Sequence, residues 1–147
     1  ILRTYYYHCL PYQSNPPTSD EQRRFSGAQR FYNFLSTLGR FQTRLGILAL
    51  RGHDQKGEPI FVQKKVDILL GVDLALLSGK QQISEAILLA GDSDFIPAVE
   101  AAKSEGVLIK LYHGKNVHNE LWACSDERTL LDETFIQGLT LPQRPKK

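Results

Sequence analysis

The sequence contains no methionine and only two cysteines among its 147 residues. Cys9 and Cys124 form no Cys-x-x-Cys motif, which argues against a zinc ribbon or a disulfide-rich secreted scaffold and favours a reduced, cytoplasmic protein. No apolar run approaches the roughly 20 residues that a membrane-spanning helix needs, so we expect no membrane segment. A strong excess of charge is also absent: the formal net charge is only +2, which neither demands nor excludes a nucleic-acid partner.

The composition is that of a folded protein. Hydrophobic residues make up 41% and charged residues 23% of a chain long enough to bury its own core. We expect one domain over residues 1–139 and a disordered tail over residues 140–147. Because the chain starts at Ile1 and has no methionine, we also expect a segment before Ile1.

Strand-like and helix-like patterns alternate along the chain. Short apolar or alternating runs predict strands at residues 3–10, 44–50, 60–62, 86–90 and 107–112. Helices are predicted at residues 19–38, capped by Ser19 or Asp20, and at residues 65–77, 95–104, 120–124 and 126–137. The second and third strands can form a hairpin, and the fourth is typical of a central strand buried on both faces. The alternation indicates an α/β fold with a central, mostly parallel sheet flanked by helices.

Two aspartates follow the most apolar strand. The run AILLAGDSDF, residues 86–95, passes through a glycine turn that carries Asp92 and Asp94. Ligands of open α/β sheets bind at the carboxyl ends of the strands, so a polar residue here is placed at the site. Structural alternatives exist: Asp94 can cap the next helix, and Asp92 can accept a turn-stabilising hydrogen bond. We interpret both as candidate functional residues, Asp92 above all.

A second acidic pair lies in KKVDILLGVDL, residues 64–74. Asp67 falls at the start of a predicted helix and Asp73 in its middle. Six residues at about 100° each turn the two carboxylates about 120° apart, so both cannot bind one ion directly. We predict Asp67 as a ligand, and Asp73 either as an outer partner of the ligands or as the partner of a buried cation. The alternative for Asp67 is a contact with the positive end of the helix dipole.

Carboxylates that converge without thiolates or a histidine cluster make a hard, oxygen-rich site. Such a site suits Mg²⁺ or Mn²⁺ rather than zinc. A bound ion of this kind acidifies water and neutralises charge on a phosphate, so phosphodiester hydrolysis is the natural chemistry.

Basic and polar residues near these aspartates suggest a substrate surface. The predicted substrate-binding residues are Lys64, Lys65, Ser93, His113 and Lys115. His118 follows the same predicted strand as His113 and Lys115, which places all three at the carboxyl end of the sheet. Contacts from such residues to phosphates would position a nucleic acid without reading its sequence. The structural alternatives are solvated lysines and ordinary loop histidines.

Three consecutive tyrosines open the chain. Alternation in a strand sends Tyr6 to the face opposite Tyr5 and Tyr7, so the three do not form one base-stacking platform. We expect them to pack in the core.

The segments KKVDILLGVDLALL and AILLAGDSDFIPAVEAAKSEGVLIKLYH resemble the NYN domain, a branch of the PIN-like ribonucleases that includes the LabA-like proteins. The resemblance implies a PIN-like three-layer sandwich and a metal-dependent RNA endonuclease, and PIN-like proteins often associate as homo-oligomers. The positions that match the family's metal-binding acidic residues are Asp67, Asp92 and Asp94, and those that match its recurrent motif positions are Lys64 and Asp73.

The sequence departs from the family in one respect. The first strand of the family ends in an Asp-x-x-Asn motif, and no such motif is present here. The expected segment before Ile1 is where that strand belongs. Asp126 resembles a recurring aspartate near the end of the family's domain, and we expect it to cap the final helix.

Two other functions are compatible with the sequence. A NYN-like domain without the first-strand aspartate would bind RNA or a protein without cutting. An apolar strand followed by Asp-x-Asp also resembles haloacid-dehalogenase-type phosphatases, but that motif normally opens the domain and too little chain follows Asp94 here.

Overall fold

The computed structural model describes residues 1–139, and the predicted tail over residues 140–147 lies outside them. The chain divides into two compact units, Ile1–Val72 and Asp73–Lys147. Nowhere in the described part is a helix both long and apolar enough to cross a bilayer.

The first unit contains a parallel strand pair joined by a helix, followed by a hairpin. Its elements are β1 (Thr4–Cys9), α1 (Ser19–Ser36), β2 (Phe41–His53), β3 (Pro59–Lys64) and the beginning of α2 (Val66–Gly79). β1 runs parallel to β2, and β2 runs antiparallel to β3. The predicted hairpin is therefore confirmed, although β2 is longer than the seven residues expected.

The N-cap of α1 lies one residue before the predicted cap, so the prediction that Ser19 or Asp20 caps this helix is wrong. Thr18 is the N-cap, and its hydroxyl accepts a hydrogen bond from the backbone N–H of Glu21 while the Glu21 carboxylate accepts one from the N–H of Thr18. The Ser14 hydroxyl also donates to Glu21. Together these donors, Ser14 first, lower the pKa of Glu21 to about 2. The capping box therefore fixes where the loop after β1 turns into the helix.

α1 covers one face of the first sheet. It packs against β2, and the Tyr32 hydroxyl donates to the carbonyl oxygen of Cys9 across 2.9 Å. Tyr6 lies on this face, with its ring centroid 6.1 Å from that of Phe31 and 6.2 Å from that of Tyr32. Tyr6 thus packs against the helix, as expected.

The second unit is a parallel α/β arrangement. Its elements are β4 (Glu85–Leu89), a 3₁₀ turn (Ser93–Phe95), α3 (Ile96–Ser104), β5 (Leu108–His113), α4 (Asn119–Cys124), β6 (Glu127–Leu130) and α5 (Glu133–Leu139). The strand order is β4-β5-β6, and both pairings are parallel. Over the described residues three of the four strand pairings are parallel, and the predicted α/β class is confirmed.

Two sequence predictions for the second unit are wrong. Residues 126–137 do not form one helix, because the segment first adds β6 to the sheet and only then forms α5. β4 is not buried on both faces, since it lies at the edge of its three-stranded sheet. Leu88 is buried, but Ile87 and Leu89 are 55% and 69% exposed.

The core of the second unit lies under β5. Ile109 and Leu111 point to one face of this central strand and are fully buried. α3 packs against β5 and α4, and it contributes the fully buried Val99 and Ala102. This packing fixes the strand ends that carry the candidate site.

A lysine connects all three strands on the opposite face. The Lys110 ammonium on β5 lies 3.0 Å from the Glu85 carboxylate on β4 and 3.4 Å from the Glu127 carboxylate on β6. The hydrogen bond to Glu85 is the main reason that the pKa of Lys110 is raised. The three side chains form an ionic link across the sheet.

Asp126 attaches β6 to β5 instead of capping the final helix, so that prediction is wrong. One carboxylate oxygen accepts a hydrogen bond from the backbone N–H of Ile109 at 2.8 Å, and the other lies 2.8 Å from the Lys103 ammonium. The cap of α5 is Asp132, whose carboxylate accepts from the N–H of Phe135. The Lys103 contact and then the Ile109 N–H lower the pKa of Asp126.

We predict that replacing Asp126 with alanine lowers the free energy of unfolding by about 1–2 kcal/mol at neutral pH, because a partly buried N–H and an ammonium lose their acceptor. The pKa of Asp126 is lower in the folded state than in the unfolded state. Its contribution is therefore present above about pH 4 and is lost as the pH falls through the folded pKa. Urea unfolding at neutral and acidic pH measures both effects.

The control for this prediction is Asp20→Ala. Asp20 forms an ion pair with Arg23 across 3.0 Å, but both side chains are largely exposed. Such a pair contributes little, so the loss should stay below about 0.5 kcal/mol. Equal losses for the two variants, or a loss at Asp126 that is independent of pH, would contradict the role given to Asp126.

Candidate functional site

The glycine turn after β4 presents two exposed carboxylates. Asp92 adopts an extended backbone conformation and caps the 3₁₀ turn, where its Oδ1 accepts a hydrogen bond from the N–H of Asp94 at 3.2 Å. The N-cap position of α3 is Phe95, which makes no side-chain cap hydrogen bond. The expectation that Asp94 caps this helix is therefore wrong, whereas the turn-stabilising role of Asp92 is present. Both carboxylates remain accessible to solvent.

An open cleft of about 560 Å³ lies beside this turn, at the carboxyl ends of β4 and β5. It is lined by Gly91, Asp92, Ser93, Asn116, Val117 and His118. The backbone N–H of His118 donates to the carbonyl oxygen of Gly91 at 2.9 Å, which ties the loop after β5 to the turn after β4. The cleft therefore combines a carboxylate, a hydroxyl, an amide and an imidazole in the position where open α/β sheets bind ligands.

Three of the residues predicted to bind substrate lie differently with respect to this cleft. Ser93 lines it. His113, the last residue of β5, is only 8% exposed, and its Nδ1 lies 2.8 Å from the carbonyl oxygen of Gly114. Lys115 follows in the exposed loop. His113 thus supports the loop from inside, while the loop residues themselves face solvent.

Sequence reasoning missed Asn116. It lies in the loop HGKNVHN and lines the cleft together with His118. The signal that could have identified it is its place after a parallel strand, the same feature that predicted Asp92 and, in this loop, His113, Lys115 and His118.

In the first unit, Asp67 lies in the first turn of α2 and is exposed. The residue before the helix, Lys65, has a left-handed backbone with φ 72°, which a non-glycine residue rarely adopts. The carbonyl oxygen of Lys65 accepts the N–H of Leu69 at 2.9 Å. The sharp turn from β3 into α2 therefore sets the direction of Asp67, and the exposed Lys64 and Lys65 lie beside it.

Two neighbouring strands form the surroundings of Asp67. A methyl group added to Gly46 on β2 would lie 2.5 Å from the carbonyl oxygen of Lys64 and 2.6 Å from a methyl of Val66, so α2 begins directly against β2. Cys9 on β1 is paired with Gly46. Burial raises the pKa of the Cys9 thiol, a hydrogen bond with the Lys64 backbone opposes this, and the charge of Asp67 raises it further.

Asp73 lies in the middle of α2 and is half-buried. This position agrees with the predicted separation of its direction from that of Asp67 on a straight helix. Its role as an outer partner of metal ligands stays a prediction.

The side chains in and next to the cleft are suited to a hydrated Mg²⁺ or Mn²⁺ ion. Across residues 1–139, no three His, Cys, Asp or Glu side chains are grouped so that they could hold a metal ion by themselves. Mg²⁺ usually keeps several waters and binds through one or two carboxylates plus substrate phosphates. Asp92 and Asp94 are two such carboxylates, and Ser93 and Asn116 add neutral oxygen atoms nearby. The chemistry of these donors therefore fits a hard cation.

Comparisons with known proteins give one result. The family model described as NYN domain matches residues 3–132, which is most of the chain and includes both segments that carry the acidic residues. No curated protein and no solved structure matches the chain.

Proposed function

Because the chain belongs to the NYN domain family, within the PIN-like nuclease superfamily, we propose that it is a metal-dependent endoribonuclease that hydrolyses phosphodiester bonds. The observation that carries this proposal is the position of Asp92, which lies in an open polar cleft at the carboxyl ends of two parallel strands. Family membership gives no support to the phosphatase alternative. The free thiols of Cys9 and Cys124 are compatible with a reduced cytoplasmic setting, which is part of the proposal.

The proposed ligands of Mg²⁺ or Mn²⁺ are Asp67, Asp92 and Asp94, directly or through water. When bound, such an ion acidifies water and neutralises charge that develops on the phosphate. Asp92 already has one oxygen fixed by the N–H of Asp94, so its carboxylate is oriented before any ligand arrives. We expect this preorganised carboxylate to fix where a bound ion would meet the reacting phosphate.

The remaining residues of the cleft bind the RNA backbone in this proposal. Ser93 and Asn116 offer neutral hydrogen-bond donors to phosphate oxygens, and Lys115 offers a positive charge in the same loop. In the first unit, the exposed Lys64 and Lys65 offer positive charges beside Asp67. These contacts carry no sequence information, so we expect cleavage with little base specificity from this surface.

The proposal is tested with the wild-type chain and a fluorescent RNA oligonucleotide. We expect cleavage in Mg²⁺ or Mn²⁺, a decrease of at least about 100-fold in EDTA, and recovery when the ion is restored in excess. Hydrolysis by water leaves a linear phosphate end. Cleavage that persists in EDTA and leaves cyclic phosphate ends would contradict the proposed chemistry. RNA binding without cleavage at any ion concentration would support the non-catalytic binding module instead.

A further inference from the structure

The first sheet has a second face, opposite the one that α1 covers. Side chains alternate along β1, so Tyr5 and Tyr7 point away from α1 while Tyr6 points towards it. In the parallel pairing of β1 with β2, Tyr5 lies beside Gln42 and Tyr7 beside Arg44. We call these four residues the tyrosine face.

The tyrosine face consists mainly of two half-buried aromatic rings and the guanidinium of Arg44. The rings of Tyr5 and Tyr7 lie 6.2 Å apart between centroids at an interplanar angle of 23°, so they are nearly parallel. The guanidinium carbon of Arg44 lies 5.5 Å from the Tyr5 ring centroid. All four residues keep part of their surface accessible to solvent. Two nearly parallel rings beside an arginine match the chemistry of base-stacking surfaces in single-strand binding proteins.

The tyrosine face continues along β1 towards the start of α2. Cys9 follows Tyr7 by two residues on the same face of β1, a distance of roughly 7 Å along the strand. Cys9 is paired with Gly46, and Gly46 contacts the start of α2, the helix whose first turn carries Asp67. A nucleotide held by the tyrosines would therefore have its backbone close to a proposed metal ligand.

We propose that the tyrosine face is a stacking subsite for the bases of single-stranded RNA. This inference rests on the proposed ribonuclease function and refines it, because it assigns a strand preference. Every base has a π face that can stack on tyrosine, and the Arg44 guanidinium over the Tyr5 ring adds a cation–π contact. Bases inside a duplex are stacked on each other and cannot reach the rings. The subsite therefore selects unpaired RNA with little regard to sequence.

Binding is measured by fluorescence anisotropy in EDTA, so that cleavage does not interfere. We expect the wild-type chain to bind single-stranded RNA at least about tenfold more tightly than a blunt duplex of the same sequence or an abasic strand of equal length. The double variant Tyr5→Leu, Tyr7→Leu should lose about tenfold in affinity for the single strand only. The double variant Tyr5→Phe, Tyr7→Phe keeps the rings and should stay within about twofold.

The matched control is Phe34→Leu, which removes an aromatic ring that is 59% exposed on α1. It should leave RNA affinity within about twofold of the wild type. Equal affinity for the normal and abasic strands, or no loss in the leucine double variant, would overturn the stacking subsite. The EDTA-sensitive cleavage assay of the wild type is a separate measurement, so the nuclease proposal can survive that result.

A second measurement remains decisive if the leucine variant fails to fold. The wild-type chain is cross-linked by light to single-stranded RNA that contains bromouridine, and the adducts are located by mass spectrometry. Adducts on Tyr5 or Tyr7 support the subsite. Adducts found only on other segments, for example on the exposed side chains of α1, overturn the stacking subsite.

Discussion

Replacing Asp92 with asparagine is expected to lower RNA cleavage at least about 100-fold while leaving the fold intact. Asparagine keeps an oxygen that can accept the N–H of Asp94, so the turn after β4 should persist. The negative charge that would hold the cation and face the reacting phosphate is lost. Initial cleavage rates over a Mn²⁺ titration measure the effect, and a thermal melt checks the fold. Activity equal to wild type would remove Asp92 from the proposed site.

The matched control is Asp54→Asn in the turn between β2 and β3. Asp54 is also an exposed turn aspartate, and its Oδ1 accepts the N–H groups of Lys56 and Glu58 at 2.8 and 2.9 Å. The same substitution at Asp54 therefore removes the charge of a turn-stabilising aspartate that does not line the cleft. We expect its cleavage rate to stay within about threefold of wild type. A loss as large as that of the Asp92 variant would mean that the effect is one of turn stability.

Gly46→Ala is expected to cost about 1–3 kcal/mol of unfolding free energy and to reduce cleavage at least about tenfold. The added methyl would lie 2.5 Å from the Lys64 carbonyl oxygen, a backbone atom that cannot turn away like a flexible side chain. The junction of β3 and α2 must therefore shift, and Asp67 shifts with it. Urea unfolding and cleavage rates at saturating RNA measure the two effects.

The control for Gly46 is Gly39→Ala, because nothing lies within 4 Å of a methyl group at Gly39. Its free energy of unfolding should change by less than about 0.5 kcal/mol and its cleavage rate should not change. An unfolding free energy of Gly46→Ala equal to that of the wild type would mean that β2 does not lie this close to the start of α2 in solution.

Local pattern was sufficient for most elements of the fold. The strands before Pro11 and after Gly106 and the helix at Val66–Gly79 follow directly from apolar runs and periodicity. β6 could not be predicted in this way, because it is four residues long and carries Glu127 and Arg128. It becomes a strand through non-local contacts, when Asp126 binds the N–H of Ile109 and the ammonium of Lys103.

The candidate site shows the same division between local and non-local information. The turn with Asp92 follows from an apolar strand that runs into a glycine, so sequence alone placed it at the carboxyl end of the strand. The places of Asn116 and His118 after β5 are visible in the sequence. Their approach to the turn with Asp92 depends on a non-local hydrogen bond from the N–H of His118 to the carbonyl oxygen of Gly91. The direction of Asp67 depends on the left-handed backbone of Lys65. A glycine would have indicated this conformation in the sequence, but the residue is a lysine.

The ionic link centred on Lys110 has a consequence for folding accuracy. Sliding β6 along β5 by the one residue that brings Arg128 opposite Lys110 would also turn Glu127 to the other side of the pleat. An attraction would thereby become a repulsion between neighbouring cations. A shift in this direction is therefore penalised by charge as well as by lost burial.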